Sequence, residues 1–213
     1  MIIDVLTIFP KLFEPFFSLG IVNQSIKKGK VKLAAHDLRD FTEGNHKQVD
    51  DYPYGGGDGM IMKPEPIVSA VENLRLENTR LMITSPVGRI LDQDYAIELS
   101  LEEHLLIICG RYRGIDNRVM EILNPEFFSL GKFVLSGGEI AAITLIETVI
   151  RLIPGVIENS SSIFEDAYIS EMTDYPHYTR PRVFRGFEVP QILLNGNFQE
   201  IEKWRREKRK EIK

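Results

Sequence analysis

One cysteine and one tryptophan occur in 213 residues. A lone thiol excludes an intrachain disulfide and fits a reducing cytosol. Cys109 closes the apolar run of residues 105–109, so it reads as a buried structural thiol before a nucleophile. Only four histidines are present, and none stands in an H-x-x-x-H or H-E-x-x-H pattern, so no residue is assigned to a metal. Long apolar runs are missing as well. Glu147 interrupts the best candidate, residues 140–150, and no uncharged run is long enough to span a bilayer. The opening Met1-Ile2-Ile3-Asp4 carries no basic leader and soon meets Pro10, Lys11, Glu14 and Pro15, so no signal peptide is expected. No G-x-G-x-x-G follows the first apolar segment, which argues against a dinucleotide fingerprint in its usual place. The expectation is a soluble cytoplasmic protein with no membrane partner.

What is present suits one large globular domain, or one with a small appendage: 43% of the residues are hydrophobic. The formal charge of −5 gives no general sign of nucleic-acid binding, but its distribution is uneven. Residues 178–213 hold ten Lys or Arg against five Asp or Glu. A basic tail on an acidic body suggests an anionic partner, with a solvated charged helix as the alternative.

Apolar and β-branched segments predict strands over residues 2–9, 31–35, 81–84, 105–109 and 133–135. Helices are expected over 21–28, 66–76, 92–101, 117–122 and 141–152, with a last one from about Phe198. Arg151 falls in the last turn of the 141–152 helix, where a cation complements the helix dipole. Three strands end in glycine-containing loops: at Ser85-Pro86, at Gly110 and at Ser136-Gly137-Gly138. Ligands of open α/β sheets bind outside the carboxyl ends of strands, so convergence of these loops would make a pocket of backbone donors and acceptors. Four glycines in residues 55–59 suggest a mobile or substrate-covering loop, or simply a flexible turn.

Residues 130–139, Leu-Gly-Lys-Phe-Val-Leu-Ser-Gly-Gly-Glu, organise this picture. The spacing of Ser136 and Glu139 fits a capping box at the start of the following helix. Gly137 and Gly138 allow tight backbone and leave room for a ligand against the main chain. An ordinary strand–turn–helix corner has the same pattern.

Taken together, several runs resemble the bacterial tRNA (guanine-N1)-methyltransferases, a SPOUT-class family with a trefoil-knotted fold. They are residues 49–57 (Val-Asp-Asp-Tyr-Pro-Tyr-Gly-Gly-Gly), 85–89 (Ser-Pro-Val-Gly-Arg), 109–112 (Cys-Gly-Arg-Tyr), 114–116 (Gly-Ile-Asp), 134–139 (Val-Leu-Ser-Gly-Gly-Glu), 151–156 (Arg-Leu-Ile-Pro-Gly-Val) and 176–181 (Pro-His-Tyr-Thr-Arg-Pro). Each alone is weak, but their ordered combination over nearly the whole chain is specific.

The resemblance implies an α/β fold: a SPOUT-type knotted methyltransferase domain (1–157), a linker (158–165) and a small, mostly helical tRNA-binding domain (166–213). It implies S-adenosylmethionine as methyl donor and, as acceptor, guanine 37 of tRNA, next to the anticodon on its 3′ side. Mg2+ stays open as a metal cofactor. Gly110 and Leu130, Gly131, Lys132, Phe133, Val134 and Leu135 match the family's cofactor-binding segments, and Ser85, Pro86, Gly137 and Gly138 line the same pocket. Asp166 falls at the family's catalytic aspartate, which removes the guanine N1 proton. Arg151 matches the arginine that offsets developing charge on O6. The family is a homodimer with its active site completed across the subunit interface.

Departures are specific. Arg113 stands where the family usually has glutamate, reversing a charge near the cofactor loop and bearing on any metal coupling there. Ala167-Tyr168 replaces the usual Ser-Phe, and Asp58 replaces a proline. The chain ends soon after the Trp204 helix, so a reduced tRNA-binding module is expected. The alternatives are another RNA methyltransferase of the same fold and a tRNA-binding protein without catalysis.

Overall fold

The computed structural model describes residues 1–43, 47–157 and 173–210. The chain divides into two compact units, Met1–Glu158 and Asn159–Lys213. In the first, the strands are β1 (Ile2–Thr7), β2 (Lys32–Asp37), β3 (Asp50–Asp51), β4 (Ile61–Met62), β5 (Thr79–Ile90), β6 (His104–Ile108) and β7 (Glu126–Ser129). Its helices are α1 (Phe13–Ser18), α2 (Gly20–Lys27), α3 (Pro64–Leu74), α4 (Gln93–Ser100), α5 (Arg118–Leu123) and α6 (Glu139–Ile150). Five strands form one parallel sheet in the order β2-β1-β6-β5-β7, while β3 and β4 pair antiparallel apart from it.

The sequence of β6 shows why the sheet is covered on both faces. His104-Leu105-Leu106-Ile107-Ile108 is buried at every position, the pattern of a strand enclosed by helices. Alternate side chains serve opposite cores. Leu105 and Ile107 join Phe13 of α1, Val22 of α2, Leu99 of α4 and Leu145 of α6. Leu106 and Ile108 join Ile67 and Val71 of α3 and Val119 of α5. A three-layer α/β/α sandwich results.

Local signals set most helix ends. Asp92 caps α4 by accepting from the Tyr95 amide at 2.8 Å. Pro64 opens α3, where its missing N–H costs nothing. Gly29 follows α2 in the left-handed region, at φ 66°.

Three expectations need correction. The seventh strand is Glu126–Ser129, not residues 133–135. Phe127 and Phe128 pair with β5, after which Gly131 at φ 153° turns the chain away and leaves Val134 84% exposed. Second, Ser85-Pro86-Val87-Gly88 does not end β5. Thr84 and Arg89 both pair with Phe128, so the four residues between them bulge out and the strand resumes. Gly88 is required there because a Cβ would strike the backbone of Phe127 and Phe128. Third, there is no capping box: Gly138 is the N-cap of α6, without a side-chain cap, and Glu139 is buried instead.

Across β2, β1 and β6, Asp4 bridges two histidines. Its carboxylate meets His36 Nε2 at 2.7 Å and His104 Nε2 at 3.0 Å, and His104 Nδ1 contacts Thr79 Oγ1 at 2.7 Å. Burial alone would raise the Asp4 carboxyl, but the hydrogen bonds and charges of His36 and His104 outweigh it and hold the group below its ordinary value. A lowered carboxyl stabilises the fold above the unfolded value, near 4, and loses that contribution as pH falls through the folded value. Asp4→Asn is therefore expected to cost about 1.5–3 kcal/mol at neutral pH. Urea unfolding at pH 7 and pH 3 checks it: the gap from wild type narrows in acid.

The described part of the second unit holds an antiparallel hairpin, β8 (Val183–Phe184) and β9 (Phe187–Glu188), a 3-10 turn at Gln191–Leu194 and helix α7 (Phe198–Lys208). The Asn197 side chain caps α7. Trp204 packs 6.5 Å from the Tyr178 ring, and the Arg205 guanidinium lies 4.9 Å from the centre of Tyr175. Among the described residues, no helix is long and apolar enough to cross a membrane.

Candidate functional site

The bulge within β5 and the segments after β6 and β7 meet at the carboxyl end of the sheet and enclose a cavity of about 420 Å³. Direct bonds join them. The Gly138 amide donates to the Gly110 carbonyl at 2.8 Å, and Arg111 forms a β-bridge with Gly137. Gly110 N–H donates to Thr84 Oγ1 at 3.2 Å, and Ser129 Oγ donates to the Pro86 carbonyl at 3.3 Å. The cavity is thus built largely from backbone and small side chains of three loops far apart in the chain.

Gly137 and Gly138 are needed for space, and the space is already taken. A Cβ on Gly137 would meet the Arg111 side chain, and one on Gly138 would meet Thr84 and Cys109. The room read from sequence as available to a ligand thus lets the loops interlock. Further along, Gly131 needs its left-handed backbone, and Ser129 Oγ binds both its amide (3.1 Å) and its carbonyl (3.0 Å).

Glu139 is the residue the sequence reading misplaced most. Its side chain is 1% exposed. Oε1 accepts from Thr7 Oγ1 at 2.9 Å, and Oε2 accepts from Arg111 Nε at 2.9 Å. Arg111 also donates to the Ser136 carbonyl at 3.3 Å and covers the Phe9 ring at 4.7 Å. This pair ties the loop after β6 to the start of α6. Cys109 lies beside it, fully buried, and burial followed by the Glu139 charge pushes its thiol well up. That is the setting of an inert thiol.

Ser85, Pro86, Gly110, Leu130, Gly131, Phe133, Val134, Leu135, Gly137 and Gly138 all line the cavity. Lys132 is exposed and is not among the lining residues. Arg151 is half-buried at the C-cap of α6, whereas the cavity lies at that helix's start. Twelve residues of helix separate the two ends by about 18 Å. Asp166 lies outside the described residues, as does the expected linker at 158–165.

Sequence reading missed two further features of the rim. Tyr112 holds φ 58°, an uncommon conformation for a bulky residue, and burial with the nearby Asp50 carboxylate raises its phenol. Arg113 donates from Nη1 to the Asp58 carbonyl at 2.8 Å and packs against Gly57 and Gly59. Arg113 and Asp58 therefore touch, and together they tie the glycine loop to the cavity rim. A positive φ at Tyr112 and a contact 55 residues away leave no local signature.

A family model, described as tRNA (Guanine-1)-methyltransferase TrmD, matches residues 1–212. The chain belongs to this family. Curated relatives named tRNA (guanine-N(1)-)-methyltransferase agree with it. The one from Dictyoglomus turgidum is 48% identical over 204 residues, covering 96% of this chain and 83% of the relative. The one from Caldanaerobacter subterraneus is 46% identical over 213 residues, covering 100% and 88%. A third, from Persephonella marina, is 49% identical over 205 residues, covering 95% and 80%. Family membership turns the cavity at the sheet's carboxyl end into the candidate site of a methyltransferase.

Proposed function

We propose that this chain transfers a methyl group from S-adenosylmethionine to N1 of guanine 37 in tRNA, in the cytoplasm. The single observation that carries the reading is the cavity formed where the β5 bulge and the loops after β6 and β7 interlock, in a chain of this family. Its size falls in the range of cofactor sites, about 300–1,000 Å³. Phe133, Val134 and Leu135 offer apolar surface, and the glycine backbone offers polar groups, which suits a nucleoside with a charged tail.

The ten lining residues named above would hold the donor, with Lys132 beside them on the same segment. When bound, S-adenosylmethionine supplies a methyl on a positively charged sulfur, electrophilic without further activation. The chain's own task is then a proton and a charge. Guanine N1 carries a proton and is a poor nucleophile until it leaves. The Asp166 carboxylate takes that proton, and the Arg151 guanidinium offsets the negative charge that spreads to O6. Arginines and lysines of the 166–213 domain engage tRNA phosphates, which gives salt-sensitive affinity with little sequence information.

Arg151 and the cavity stand at opposite ends of α6, which supports a homodimer in which one copy holds the donor and the other brings its arginine. The bonds between the 129–138 segment and the loops at Pro86 and Gly110 support a trefoil knot at the site. On this reading, residues 1–157 are the knotted domain, 158–165 the linker and 166–213 the tRNA-binding domain.

Labelled donor, offered with tRNA transcripts carrying guanine or adenine at position 37, tests the proposal. Methyl on N1 of guanine only is expected. Label on ribose, label on the adenine transcript, or binding without turnover would overturn it. The same assay with and without added Mg2+ reads the metal requirement.

A further inference from the structure

The hairpin of the second unit has, among its arginines, an exposed aromatic face that the proposed function does not use. Strands β8 and β9 are joined by Arg185 and Gly186, with φ 51° and 83°. Both values are positive, as in the two-residue turn that matches the twist of a hairpin. The first of these positions favours Asn, Asp or Gly, yet an arginine occupies it. Phe184 and Phe187 pair directly across the ladder, so they share one face of the ribbon. They are 62% and 81% exposed.

Cations flank these rings. The Arg185 guanidinium lies 5.4 Å from the centre of Phe184. The Arg182 carbonyl accepts from the Val189 amide at 3.0 Å, which continues the pairing by one step. The strand period of two then places Arg182 on the same face as Phe184. Arg180 is exposed just before it, and Glu188 is the only carboxylate in residues 180–190. A purely apolar partner would leave the arginines unmatched, and a purely anionic one would leave the rings in water. Unpaired nucleotides present free ring faces and phosphates together, whereas a duplex keeps its base faces inside its own stack.

We infer that this hairpin binds unpaired nucleotides of RNA, with bases stacked on Phe184 and Phe187 and phosphates beside Arg182 and Arg185. The inference rests on the tRNA reading above and adds to it a specific contact surface.

The test uses the full chain and an anticodon stem–loop RNA carrying 2-aminopurine at its unpaired positions, with a fully duplexed RNA as competitor. Replacing both rings with leucine keeps apolar area and removes stacking, and should weaken binding by roughly 5–100-fold per ring. The double tyrosine variant should bind and quench fluorescence like wild type. Arg185→Asn suits the turn better, so it should keep stability while lowering the slope of affinity against salt by about 0.7. Unchanged affinity of the leucine variant overturns the inference, as does equal competition by duplex. A changed sedimentation coefficient with unchanged RNA affinity overturns it too, since the face would then join copies of this chain. If wild type neither binds RNA nor transfers methyl, the proposed function falls with it. Normal methylation by a leucine variant that binds as tightly as wild type removes the hairpin surface alone.

Discussion

Replacing Asp166 with alanine is expected to slow single-turnover methyl transfer by about 10²–10⁴-fold, the range a positioned general base supplies. The argument is chemical. A protonated N1 attacking directly would leave the purine with an extra proton and a positive charge. A carboxylate in place lets the proton leave as the new carbon–nitrogen bond forms. Asp166→Asn is the sharper variant, because it preserves size and hydrogen bonding but cannot accept the proton. Both variants should bind donor and tRNA as wild type does, since the change acts on a group engaged in the transition state. Rapid-quench measurement with labelled donor, beside equilibrium binding of each substrate, separates the two effects. Full activity of either variant would sink the assignment.

Second in size is the loss of Arg111. Arg111→Ala would leave the Glu139 carboxylate inside the protein with Thr7 as its remaining hydrogen-bond partner. Breaking a buried ion pair on one side costs about 3–5 kcal/mol. Arg111 is itself 21% exposed, so water can reach part of the gap and the lower end of that range applies. The midpoint of urea unfolding should fall accordingly. Arg111→Ala with Glu139→Gln should recover much of the loss, because a neutral amide no longer needs the cation. Donor affinity should stay weak in the double variant, since Arg111 also holds the Ser136 carbonyl at the cavity wall. A single-variant loss below about 1 kcal/mol would show that the pair is not a buried clamp.

The site was legible in the chain to the extent that its elements were local. The apolar run at 105–109 forms β6, and the helices expected over 21–28, 92–101 and 117–122 form within one residue of those bounds. The ordered set of short motifs likewise pointed to the family that the comparison then matched over residues 1–212. The segment at 126–135 was misread because it contains two short apolar runs. Phe127-Phe128 and Phe133-Val134-Leu135 look alike in composition, and only pairing with β5 decides which becomes the strand.

By itself, then, the sequence determined where most strands and helices lie and which family the motifs compose. Tertiary structure alone decided what Gly137, Gly138 and Glu139 are for. Their neighbours, Arg111, Thr84, Cys109 and Thr7, lie between 26 and 132 residues away along the chain and reach them only once β1, β5 and β6 lie side by side. A local pattern such as Ser136 to Glu139 cannot foresee a partner brought in by a parallel sheet. The burial that removes Glu139 from water favours the distant arginine and threonine over the nearby amide as its partners.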